Sequence, residues 1–277
     1  MRSIQSRWPW LLVVAVVAAA GWWLLRPHGG PPTIAEGSST AETPPPPVAV
    51  APASTAPAIR HPLDPADAAD AAIPPLADSD AAAWAALVEA AGDASVLDVL
   101  LRDHLVQRLV TMIDNLTEPR IATRTLALQA LPGRFETEPE VAGPDAAGPG
   151  GAPLRIAQAN ARRYDPYVRA FVQADPARLV AVYRRFYPLF QQAYAELGRP
   201  DAYFNDRLVA VIDHLLQAPE PAAPAQVVPG ANGRFHFADP ALESLSVGQK
   251  ALLRLSPEQR GAVKRQLRAI RSGLARG

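Results

Sequence analysis

The first pattern along the chain is an unbroken apolar run. Leu11 to Leu25 carries no charged side chain, and with Trp8, Pro9 and Trp10 the run reaches 18 residues, near the minimum for a membrane-spanning helix. Arg2 and Arg7 precede it and few basic residues follow it closely, so the positive-inside bias predicts a cytoplasmic N-terminus over residues 1–7 and an exported remainder. Trp8 and Trp10 at one end, and Trp22 and Trp23 at the other, flanked by Arg7 and Arg26, resemble two interfacial belts. Ala18-Ala19-Ala20 fits a signal-peptide cleavage pattern. Cleavage there would leave only Leu11 to Val17 as the apolar core and would discard the second belt. The pattern therefore favours an uncleaved anchor over residues 8–26.

Residues 27–75 lose the apolar pattern. Pro, Ala, Ser, Thr and Gly dominate, with "AETPPPPVAVAPASTAPA" as the extreme. Such a stretch cannot bury enough surface to offset the entropy of ordering, and it reads as an extended, semi-stiff linker.

Helical periodicity begins at about Leu76, opening a domain over 76–277. Asp78-Ser79-Asp80 offers capping groups for "AAAWAALVEAAG", which Gly92 closes. Asp93 to Asn115 places Leu97, Leu100, Leu101, Leu105, Leu109, Met112 and Ile113 at three- and four-residue steps and predicts one long helix. "LPGRFETEP" and "PLRIA" read as two short strands around a Gly/Pro-rich loop. Helices resume at about Tyr164. Asp175 and Pro176 open the next one, Pro188 predicts a kink and Gly198 a stop. Asp201 is the expected cap of a helix running to Gln217. "AQVVPGANGRFHF" reads as a hairpin, and two helices follow, at about 240–253 and 257–272, the second capped by Ser256. The expected fold class is mainly α with minor β hairpins, behind a single N-terminal transmembrane helix.

"LVTMIDNL", "YPLFQQAYAELGRPDAYFNDRLVAVIDHLL" and "FADPALESLSVGQKALLR" resemble the family of domain of unknown function 3014. The resemblance covers about Ser95 to Arg271. It implies a bacterial envelope protein with a membrane segment, a Pro-rich linker and this C-terminal domain, and it implies no activity. The expected location is the bacterial inner membrane with the domain in the periplasm.

Composition narrows the chemistry. There are no cysteines, which excludes disulfides, thiol catalysis, thiolate metal sites and a lipidated cysteine anchor. The formal net charge is zero, so nothing argues for nucleic acid. No nucleophile elbow, phosphate loop, His-Glu-x-x-His or dinucleotide fingerprint is present. No cofactor and no metal are expected.

The densest polar cluster is Asn205, Asp206, Arg207, Asp213 and His214. Asp206 and Asp213 share a helix face two turns apart, about 10 Å, a spacing that suits two carboxylates in the inverting-glycosidase range. The bland alternative is that Asp206 pairs with Arg184 or Arg185, and that Asp114-Asn115 pins a helix end. The Tyr/Phe stripe from Tyr183 to Phe204 could line a groove, but at helical spacing it reads as core. From Lys250 onward eight basic residues face one acid, whereas residues 64–103 carry nine acids and one Arg. Solvated faces, or the two ends pairing, explain this simply. The sharper expectation is a basic face of Lys264, Arg265, Arg268 and Arg271 that meets anionic lipid or an acidic partner.

Two functions remain. One is an anchored envelope protein whose helical domain binds a protein partner as adaptor or scaffold. The other is an envelope hydrolase or binding module acting on cell-wall glycan or lipid, with Asp206, Asp213 and His214 as candidate catalytic residues. The balance falls on the non-enzymatic side.

Overall fold

The computed structural model describes residues 58–63, 73–91, 94–122, 127, 134–140, 153–173, 175–230 and 234–275. The expected anchor with Trp8, Trp10, Trp22, Trp23, Arg7 and Arg26, the linker up to residue 57 and the insert over 141–152 lie outside the described residues. Among the described residues no helix is long and apolar enough to cross a membrane. The domain is mostly helical with one small antiparallel sheet.

A 3-10 turn, Leu76–Asp78, leads into α1, Asp80–Ala91, where the capping signals placed it. The expected single helix over 93–115 is two pieces, a 3-10 segment Ala94–Val99 and α2, Leu105–Asn115. The chain breaks because Leu101 donates its amide to the Ala127 carbonyl at 2.7 Å and His104 takes a left-handed conformation, φ 54°. Leu97, Leu100, Leu105, Leu109, Met112 and Ile113 are nevertheless all buried.

Helix α3, Ala159–Gln173, starts a little before the expected Tyr164. Helix α4, Pro176–Glu196, opens with Asp175 accepting the Ala177 amide at 2.8 Å. Pro188 sits on its exposed side, and the helical run continues through it. Gly198, at φ 87°, provides the left-handed residue that ends this stretch. Helix α5, Phe204–Leu216, is capped at Tyr203, not at the expected Asp201. The Gln191 side chain of α4 supplies the acceptor instead, taking the Phe204 amide at 2.8 Å.

The four strands form one sheet. Strands β1 (Thr137–Pro139), β2 (Leu154–Ile156), β3 (Gln226–Pro229) and β4 (Phe235–Phe237) pair antiparallel in chain order. Leu154 opposite Val227 joins the two pairs that the sequence suggests separately. Ile156, Val227 and Phe237 face a small core with Phe135, Ala225 and Leu253. The buried Arg254 guanidinium lies 5.1 Å from the Phe135 ring and 5.9 Å from that of Phe237.

The expected helix over 240–253 is also split, into α6 (Pro240–Glu243) and α7 (Val247–Leu253), because Ser246 turns extended and its hydroxyl caps the second piece. Every residue of α7 is buried. Its first amides end on carbonyls beyond α2: Val247 on Glu118 at 2.8 Å and Gly248 on Leu116 at 3.1 Å. Helix α8, Pro257–Leu274, begins with a Ser256–Gln259 capping box and packs on α3, α4 and α5.

Candidate interaction site

The α4–α5 hairpin carries the aromatic stripe. Tyr183, Phe186, Phe190, Tyr194 and Phe204 are buried, so the stripe is core as expected, with Phe190 and Phe204 stacked at 5.9 Å. Tyr187 and Tyr203 stay half-exposed at its rim, their rings 5.4 Å apart. Gln191 fixes this rim: it accepts the Tyr187 hydroxyl at 2.7 Å and donates to the Ala202 carbonyl at 2.8 Å. Burial, and then hydrogen bonding to Tyr203, pushes the Tyr187 hydroxyl well above the usual phenol range, so it remains neutral.

Asp206 lies at the start of α5, and its partner is neither Arg184 nor Arg185. Its two oxygens accept consecutive main-chain amides from the far side of the sequence, Arg60 at 2.9 Å and His61 at 2.7 Å. Asn205 donates to the His61 carbonyl at 2.9 Å and to the Leu274 carbonyl at 3.3 Å. The Tyr203 hydroxyl accepts the Leu63 amide at 2.8 Å. Within the expected linker, residues 58–63 are thus laid on the domain, with Leu63 buried.

The other candidates are also bonded into the fold. Asp213 forms a two-pronged pair with Arg271, with Nη2 at 2.8 Å from Oδ2 and Nε on Oδ1. This bond pushes the guanidinium pKa up. The His214 Nε2 is 2.8 Å from the Ser246 hydroxyl. That is the distance of a base and its nucleophile. But Ser246 is only 5% exposed, and its oxygen already takes the Gln249 amide as the cap of α7. Burial, then the Arg207 charge, lowers the His214 pKa. Arg207 in turn is held by Asp114 and by Thr117 at 2.8 Å, so Asp114 pins the end of α2 as one reading anticipated. An apolar cleft between α1, α2 and α4, lined by Ala83, Leu87, Leu105, Leu109, Phe186 and Phe190 among others, includes none of Asp206, Asp213 and His214.

The expected basic face divides. Arg265 and Arg268 are exposed, but Lys264 is buried and donates to the Ala218 carbonyl and to Glu220 at 2.7 Å. Arg271 is half-buried against Asp213. The signal was present in the sequence: Lys264 falls on the stripe of Arg260, Val263, Leu267, Ile270 and Leu274, which is the buried face of α8. Among the described residues no group of three or more His, Asp or Glu side chains could hold a metal ion.

No curated protein and no solved structure matches the chain. One family does, over residues 105–271, which is more than half of the chain and includes the whole α4–α5 hairpin but not the segment docked on it. The chain belongs to the family described as Protein of unknown function (DUF3014).

Proposed function

We propose that this is a single-pass protein of the bacterial envelope, anchored in the inner membrane through residues 8–26, whose periplasmic helical domain binds a protein partner as an adaptor. The topology rests on the apolar run, its flanking tryptophans and the charge bias. The observation that carries the binding role is the docking of residues 58–63, because a surface of α5 here holds a stretch of chain from outside the family domain through its main chain. The three side chains that a hydrolase would need are each engaged in holding segments together.

In-cell crosslinking of the full-length protein, followed by affinity capture from the membrane fraction and mass spectrometry, tests this. A version lacking residues 76–277 is the control. One or two partners at near-stoichiometric yield that depend on the domain are expected. Recovery of the protein alone would overturn the reading and turn attention to wall fragments and lipid.

A further inference from the structure

Helix α8 carries Arg260, Lys264, Arg268 and Arg271 at four- and three-residue steps, which places them on one line along the helix, on the side that meets α5. Two of the four hold a carboxylate. Arg271 holds Asp213, and the Lys264 Nζ lies 2.7 Å from Glu220 in the stretch between α5 and β3. Arg260 is different. It is only 4% exposed, and its Nε has no hydrogen-bond partner among the described residues. Burial lowers its pKa, and the charges of Glu220 and Glu258 oppose this. A buried guanidinium short of acceptors is costly, and such a group calls for an ion or a water beside it. Arg268 stands exposed one turn beyond Lys264. The bond and charge of Lys264, and beyond them the charges of Arg260 and Arg268, hold the Glu220 carboxyl below its ordinary range. Three cations therefore act on one carboxylate, whose side chain is 57% exposed.

We infer that the Arg260–Lys264–Arg268 line is a binding site for a phosphate group, and that Glu220 is the resident carboxylate which the phosphate displaces. Glu220 bonds Lys264 and leaves the Arg260 Nε without an acceptor. A phosphate brings more charge and more acceptor oxygens, set tetrahedrally, and so can serve an ammonium and two guanidinium groups at once. Arg265 lies about 100° further round the helix from Lys264 and is no part of the site. The inference is independent of the adaptor reading, because no protein partner enters it. A lipid headgroup and a soluble phosphate ion share this chemistry.

The test is calorimetric titration of the full chain in nonionic detergent micelles, at about 0.15 M salt to screen diffuse attraction. The probes are inorganic phosphate, short-chain phosphatidylglycerol and, as a control, phosphatidylcholine of the same chain length. Saturable binding is expected, about fivefold weaker in R260Q and in R268Q and unchanged in R265Q. E220Q should bind about fivefold more tightly, because the resident charge is gone while a hydrogen bond to Lys264 remains. Arg268 is exposed, so R268Q carries the test even if R260Q fails to fold. Phosphatidylglycerol that binds where phosphatidylcholine does not, with the same order of variants, supports the site and assigns it to a lipid headgroup. Inorganic phosphate that binds alone supports the site and assigns it to a soluble ion. No saturation at about millimolar probe in any chain overturns the inference. Equal weakening in R265Q and R268Q also overturns it, since it would show a diffuse basic face rather than a site, as does an E220Q that binds no better than the wild type.

Discussion

Asp80 holds the amide of His104. Its two oxygens accept the His104 and Leu105 N–H groups at 2.7 and 2.8 Å, across 24 and 25 residues, so the first residue of α1 caps α2. The same device recurs at Asp206 with Arg60 and His61. At the first site it makes the break before α2 possible, because His104 is thereby fixed in a left-handed conformation that a side chain rarely adopts. D80A should cost about 1.5–3 kcal/mol, as expected for two amides that lose a charged acceptor. H104G should be neutral or stabilising by up to about 1 kcal/mol, since glycine accepts this φ without strain. Urea unfolding of both variants measures this; a neutral D80A would mean that the break is held by the Leu101–Ala127 bond alone.

Local rules found the elements but not the joints. The starts of α1, α4 and α8 and the β3–β4 pair follow from capping groups, proline positions and turn residues that act within a few residues. The break at His104, the capping of α5 by Gln191 and the docking of residues 58–63 were not legible. Each depends on a partner from another segment, up to 146 residues away. Asp80 and Asp206 both look like helix-start carboxylates, and only the fold shows that they serve neighbouring segments. Lys264 was misplaced for a different reason: counting its charge hid its position on the apolar stripe.

Gly248 marks the closest approach of α7 to its surroundings. A Cβ there would stand 2.4 Å from Leu215 Cδ2 and 2.8 Å from the Leu116 carbonyl oxygen. The side chain can move but the carbonyl, which already accepts the Gly248 amide, cannot. G248A should therefore destabilise by about 1–3 kcal/mol, although alanine is the better helix former. A variant as stable as the wild type would show that α7 shifts freely, against its burial on every side.

Lys264 and its exposed neighbours should behave oppositely. K264A removes the ammonium that satisfies the buried Ala218 carbonyl, and should cost about 1–3 kcal/mol. R265A/R268A removes two exposed charges and should stay within about 0.5 kcal/mol for each. The comparison also separates structure from binding. If the double variant keeps its stability but loses association with anionic vesicles, the exposed half of α8 is an electrostatic surface in its own right.

Acidification should weaken the domain first through His214. Burial, and then the positive charge of Arg207, lowers its pKa below the value it has when unfolded, about 6.5. The unfolded chain therefore binds the proton first as pH falls. The stability that the neutral imidazole contributes is present above the unfolded pKa and is lost as pH drops through about 6.5 toward the folded value. Glu243 acts in a lower window. Burial alone would raise its carboxyl, but the Phe237 amide, His236 and Lys250 together hold it below its ordinary range, so its contribution disappears only in stronger acid. Between pH 8 and pH 5 the denaturation midpoint of the wild type should fall. In H214Q, which keeps a hydrogen-bonding partner for Ser246 and has no titrating ring, it should fall less. Parallel curves for the two proteins would mean that His214 titrates alike in the folded and unfolded chain, and that its contact with Ser246 does not set the acid sensitivity of the fold.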